Sequence, residues 1–258
     1  MTDAAGNKHS KVDEMPLMGH LLELRNRLLK AIILVIIFFA VMFPFSNELY
    51  LYLSEPLRSL LPEGSTMIAT QVASPFLAPF KLTMVLALFV AMPFILHQAW
   101  SFIAPGLYKS EKRLALPLLV SSILLFYAGI AFAYYVVFPL MFGFFTATGP
   151  DQVAVMTDIS AYLDFVLKIF FAFGIVFEIP IATLLLIWTG ATTPASLGKK
   201  RAYVVVSCFV IGMLITPPDV ISQTLLAVPM WLLFEVGIIF GRFVKPRTED
   251  KNAEADVA

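Results

Sequence analysis

From Leu114 to Phe138 the chain carries no charged side chain. Coiled into a helix, that run measures about 37 Å, enough to cross the ~30 Å hydrocarbon core of a bilayer. No other feature limits the fold so tightly. In hydrocarbon every backbone N–H and C=O must be satisfied within the protein, which leaves helices or a closed barrel. Barrel strands alternate in polarity over about ten residues, and this run does not alternate. Further predominantly apolar runs lie at about 28–45, 76–100 and 161–188, with shorter ones at 202–215 and 220–236. Only 14% of residues are charged and 59% are hydrophobic, whereas a soluble domain is about one quarter charged. The expected fold is an all-α polytopic membrane protein with six transmembrane helices.

The basic residues orient it. Fifteen of the 18 Lys and Arg fall in the N-terminal segment through Lys30, near 109–113, at 199–201 or after residue 241. Arg58 alone falls in a loop of the opposite side, and Lys81 and Lys168 lie within spans. Cytoplasmic loops are enriched in Lys and Arg, so both termini are expected in the cytoplasm. Residues 1–18 read as a flexible tail, 19–241 as the six-helix membrane domain and 242–258 as a disordered tail. The N-terminus lacks the basic start and short apolar core of a cleaved signal peptide. Pro93 is expected to kink span two. Residues 46–75 and 139–160 are expected outside, the first with a short helix over 47–61. Spans five and six read as short, the sixth interrupted by Glu235.

Several functions lack the residues they need. The single cysteine, Cys208, cannot form an internal disulfide. His9, His20 and His97 show no metal-ligand spacing. There is no Gly-rich phosphate loop and no nucleophile–base motif. A lone span serine such as Ser121 or Ser207 is expected to bond its own helix. Formal net charge is zero, which gives no footprint for nucleic acid. No enzyme activity, cofactor or metal is expected.

Three polar constellations remain. Glu178 lies near mid-span, where a charge costs about 2.5–3.5 kcal/mol on insertion scales and normally faces protein or a watery cavity. Pro180 should loosen the backbone beside it. It reads as a functional site or as a protonated acid bonded within the bundle. The second is the final hairpin, with Asp219, Gln223 and Glu235. Asp219 suits a helix cap, while Gln223 needs another partner, and the two short helices suggest an edge where a partner docks. The third is a pair of carboxylates beside the inner surface. Glu23 sits in the amphipathic stretch Gly19 to Lys30, and Glu111 sits beside Lys112 and Arg113. Glu23 can pair with Arg27 at i,i+4, or face a ligand. Together, Glu23 and Glu111 would suit two guanidinium groups, which take carboxylates in bidentate pairs that lysine cannot match.

These residues lie in motifs that resemble the TatC family, the receptor subunits of the twin-arginine protein translocase, most closely its proteobacterial members. The motifs are HLLELRNRLL at 20–29, GSTMIATQVASPF at 64–76, FIAPGLYKSEKR at 102–113, PLLVSSILLFYAGIAFAYYVVFPL at 117–140, FGIVFEIP at 173–180 and TPPDVISQTLLAVPM at 216–230. The resemblance runs from about Met15 to Phe243. It implies a cupped, concave bundle in the bacterial inner membrane. It implies that the cytoplasmic face binds twin-arginine signal peptides of folded cargo through Glu23 and Glu111, with Arg25, Phe102, Leu107 and Lys109 in the same motifs. Glu178 would be the acidic residue of the concave groove, and Pro56 a functionally important proline of the first outer loop. Met213, Asp219 and Gln223 would lie where TatB and TatA, single-span partners, dock. A homo-oligomer within a complex driven by the proton-motive force is implied as well.

Two other classes are open to the residues themselves. An ion-coupled secondary transporter would use Asp164, Lys168 and Glu178 as a proton relay. The missing internal repeat counts against it. A purely structural scaffold would make no use of Glu178.

Overall fold

A computed structural model describes residues 10–58, 67–103, 112–147, 157–216 and 219–243. Among these the regular structure is helical, with one isolated bridge between Ile68 and Asp158. The chain is all-α, as expected. It divides into two compact units, residues 1–46 with 83–119, and residues 47–82 with 120–258.

The first unit holds helix α1 (Ser10–Met42) and helix α4 (Met92–Ile103). α1 begins inside the stretch expected to be a tail, and runs through Pro16 and Gly19 into its apolar part. Its apolar side chains are largely exposed, among them Ile33, Ile36 and Val41, as suits a helix whose solvent is lipid. A 3-10 turn, Phe43–Phe45, follows with Pro44 inside it. Helix α3 (Ser74–Val90) and α4 meet at a 49° bend after Val90. Pro93 lies in the first turn of α4. It has no N–H to continue the α3 hydrogen-bond ladder, so the bend falls where the sequence predicts it.

The second unit is built around the part of α5 (Lys112–Phe132) after Leu119, a π-helical turn (Ala133–Val137), α6 (Phe138–Ala147), α7 (Ile159–Val176) and α8 (Ile179–Trp188). The helical path thus continues to Ala147, well into the segment expected as an outer loop. Pro139 explains the π turn. Its ring and missing N–H disturb the bond to the carbonyl four residues back, and a widened turn absorbs the mismatch. Close approach of helices is set by small residues. At Gly129 an added Cβ would lie 2.5 Å from the Phe173 carbonyl oxygen, and at Gly174 2.7 Å from the Phe126 ring. At Gly237 it would lie 3.0 Å from Pro180 and Thr183. Such small-residue contacts drive association where the hydrophobic effect cannot. Phe126, Phe138, Phe170 and Phe173 fill the centre and are almost completely buried.

After α8, Gly190 takes φ +75°, and its N–H closes on the Ile187 carbonyl at 3.0 Å. A short helix α9 (Pro194–Lys199), α10 (Arg201–Ile215) and α11 (Val220–Gly241) complete the chain. α11 has 22 residues and spans about 33 Å. It is therefore longer than the predicted 220–236, and the reading of span six as short is corrected. Glu235 does not end it, because Arg201 neutralises that charge. Arg201 Nη2 donates to Glu235 Oε2 at 2.6 Å, with Nε also 2.6 Å from Oε1.

Among the described residues, four helices are long and apolar enough to cross a membrane, or five when the bent α3–α4 pair counts as one span. α10, with 15 residues, is about 22 Å long and remains short, as its sequence indicates.

Helix α2 (Ser46–Arg58) lies within the first expected outer loop. Tyrosines tie it down. Tyr162 donates to the Leu53 carbonyl at 2.9 Å, and Tyr50 and Tyr134 donate to the Ile159 and Tyr52 carbonyls, each at 3.3 Å. Beside them Asp158 caps α7, accepting from the Ser160 and Ala161 N–H groups at 2.9 Å. The same carboxylate accepts from the Thr70 N–H at 2.9 Å and the Thr70 hydroxyl at 2.7 Å. Held by the Ala161 N–H first and then by Thr70, its pKa falls from 3.8 to about 2.

Candidate functional site

The amphipathic start of α1 places Glu23 and Arg27 one turn apart on one face. Arg27 donates to Glu23 Oε1 through Nε at 3.1 Å and Nη2 at 2.5 Å. The sequence suggests this local pair, or a Glu23 that faces a ligand, and gives no further partner for Arg27. In the structure the guanidinium also reaches α4. Nη1 donates to the Gln98 carbonyl at 3.3 Å and Nη2 to the Ser101 carbonyl at 3.1 Å. A cation is favoured there, since the last carbonyls of a helix carry partial negative charge. Arg27 thus joins Glu23 to the last turn of α4, directly before Phe102. Phe102 is partly buried at that helix end, and Arg25 is exposed on α1. Leu107, Lys109 and Glu111 lie outside the described residues.

Glu178 stands at the break between α7 and α8, where the backbone turns before Pro180. Ser122 of α5 donates its hydroxyl to Glu178 Oε2. The other oxygen, Oε1, is buried with no hydrogen-bond partner among the described residues. A half-satisfied carboxyl inside a bundle is costly, and such groups mark sites that meet a further polar group. The sequence singled out Glu178 but not Ser122, which lies on a distant part of the chain. Ser207 does bond its own helix, donating to the Tyr203 carbonyl at 2.8 Å.

In the final hairpin Asp219 caps α11, accepting from the Ser222 N–H at 2.7 Å. Gln223 finds its partner across the hairpin, donating to the Phe209 carbonyl at 2.8 Å. Gly212 faces Gln223 closely enough that an added Cβ would lie 3.3 Å from its side chain. The Ser222 hydroxyl is buried and has no partner among the described residues. Met213 is 50% exposed on α10. On α11, Val220, Ile221 and Pro229 border an apolar groove of about 470 Å³, closed on its other side by Phe132, Val137 and Leu140. Pro56 lies in α2.

The residues of the relay reading do not form a chain. Asp164 pairs with Lys81, Lys168 is exposed, and Glu178 lies about four turns beyond Asp164. Among the described residues no three His, Cys, Asp or Glu side chains gather as metal ligands.

A family model described as Sec-independent protein translocase protein (TatC) matches residues 19–229. Relatives carrying the name Sec-independent protein translocase protein TatC include one from Azotobacter chroococcum mcd 1. It is 63% identical over 236 residues, covering 92% of each chain. Another, from Escherichia coli (strain K12), is 59% identical over 231 residues, covering 90% of each. A crystal structure titled as the twin arginine translocase receptor TatC superposes with a TM-score of 0.78 at 39% identity, covering 87% of this chain and 98% of that one. A second, of TatC in DDM, gives a TM-score of 0.79 at 40% identity, over 86% and 99%.

Proposed function

The chain belongs to the TatC family, and from that membership we propose how it works as the receptor component of a twin-arginine translocase. It is a multi-pass membrane protein of the Sec-independent export machinery. The remaining steps are our reading. α10 crosses as a sixth, short span, which sets both termini in the cytoplasm of a bacterial cell with the protein in its inner membrane. The basic flanks support that orientation.

Glu23 and Glu111 capture the paired arginines of a folded preprotein's signal peptide at the cytoplasmic surface. Arg25, Phe102, Leu107 and Lys109 complete the binding surface. The observation that carries this reading is the setting of Glu23. Its carboxylate is fixed at the end of α4, partly exposed, with one oxygen committed to Arg27. A carboxylate so held is ready for a second guanidinium. The apolar part of the signal then enters the membrane, where Glu178 and Ser122 supply a polar contact. The α10–α11 hairpin, with Met213, Asp219 and Gln223, and the apolar groove beside α11 recruit the single-span TatB and TatA subunits. Pro56 holds the outer cap in the form the complex needs. Several copies assemble, and the proton-motive force drives transport without nucleotide or bound cofactor.

Against the transporter reading, Asp164 is committed to Lys81 rather than to a relay with Glu178. The test is site-specific crosslinking of a twin-arginine precursor to the receptor in membranes. Glu23→Ala with Glu111→Ala is expected to abolish the crosslink while the protein remains inserted. An undiminished crosslink overturns the assignment.

A further inference from the structure

Arg27 already occupies the carboxylate that a signal arginine would take. Its Nε and Nη2 both address Glu23 Oε1, at 3.1 and 2.5 Å. Among the described residues no donor reaches Oε2. Glu23 keeps 40% of its side chain exposed, and Arg27 keeps 20%. An incoming cation meets no donor on Oε2 among the described residues, but it gains Oε1 only by displacing two N–H groups.

Two kinds of cation meet that obstacle differently. A guanidinium presents a planar fork and can make two parallel bonds across both oxygens. It replaces what Arg27 gives up. An ammonium is a point donor with no fixed fork, and it cannot match a bidentate contact on the same carboxylate. The displaced Arg27 is not stranded. The Gln98 and Ser101 carbonyls, at 3.3 and 3.1 Å, continue to hold it at the C-terminal end of α4. Exchange thus loses the two bonds to Glu23 and keeps the two to α4.

We infer that Arg27 sets the preference for arginine over lysine at Glu23, acting as a resident guanidinium that only another guanidinium displaces. This rests on the reading of Glu23 as a signal contact. It is selection by competition, in which the wrong ligand is refused because it cannot repay what it displaces. A simple brace between α1 and α4 would instead affect both ligands alike.

The test uses the full-length protein in nanodiscs and two fluorescent signal peptides, one with the Arg-Arg pair and one with Lys-Lys in its place. Affinities are measured for the wild type, Arg27→Gln, Arg27→Lys and Glu23→Ala. Arg27→Gln is expected to narrow the Arg-Arg over Lys-Lys affinity ratio about tenfold, the scale of one charge-assisted hydrogen bond, mainly by strengthening Lys-Lys binding. Arg27→Lys, a weaker competitor, is expected to fall between. An unchanged ratio in Arg27→Gln overturns the inference, whether both peptides weaken or neither does. Should Arg27→Gln fail to accumulate, an unchanged ratio in Arg27→Lys overturns it instead. Glu23→Ala separates the two claims. If it binds the Arg-Arg peptide like wild type, the role of Glu23 falls. If it binds weakly while the Arg27→Gln ratio is unchanged, only the role of Arg27 falls.

Discussion

Gly129→Ala is expected to force α5 and α7 apart. The new methyl would lie 2.5 Å from the Phe173 carbonyl oxygen, 3.0 Å from its carbonyl carbon and 3.0 Å from Phe177 Cγ. The first two atoms are backbone, so no rotamer change relieves them. Carbon needs about 3.5 Å from its neighbours for favourable contact, so the helices must separate by roughly 0.5–1 Å. Overpacking of this kind costs about 1–3 kcal/mol. At about 2–4 °C per kcal/mol for a chain of this size, a fall in melting temperature of several degrees follows. The same movement should weaken the Ser122–Glu178 contact, since Ser122 lies two turns before Gly129 on α5. Thermal unfolding in nanodiscs, followed by tryptophan fluorescence, measures the shift. Gly143→Ala is the control. It has open space around the added methyl, and alanine favours the helix, so its melting temperature should hold or rise. Equal melting temperatures for wild type and Gly129→Ala would refute the account of α5–α7 packing.

Two further outcomes are expected. Arg201→Gln should destabilise the α10–α11 hairpin by about 1–3 kcal/mol, because it leaves the mostly buried Glu235 carboxylate without its partner. The charge-swapped Arg201→Glu/Glu235→Arg variant should recover part of that loss in the same melting assay. Asp158 should confer a pH dependence. Its folded pKa, about 2, lies below the ordinary 3.8, so its contribution is full above about pH 4 and is lost as pH falls toward 2. The stability gap between wild type and Asp158→Asn should therefore close across that window, and a gap that stays constant would reject the capping account.

Much of this was legible because the membrane makes local rules strict. An uncharged run near Leu114 has few foldable outcomes, and Pro93 marks the place where α3 bends into α4. Glu178 was legible because a carboxylate at that depth is costly wherever it points. Its partner Ser122 was not, since no periodicity links residues on two helices that meet only in the folded protein, where Gly129 and Gly174 let them approach. The full length of α11 is hidden in the sequence for the same reason. Glu235 reads as the end of an apolar run until Arg201, far back in the chain, is found against it. Lys81 and Asp164 likewise look like isolated span charges until α3 and α7 bring them together. Arg27 was half legible: spacing gives its bond to Glu23, and only tertiary packing gives its bonds to Gln98 and Ser101.

The central claim is that this chain reads paired arginines through Glu23 and Glu111. The most direct measurement is a titration of the wild-type protein in nanodiscs with a fluorescent twin-arginine signal peptide, repeated with both arginines replaced by lysine. Saturable binding of the first and loss of binding with the second is the predicted result. Equal binding of the two peptides, or no binding of either, would contradict it.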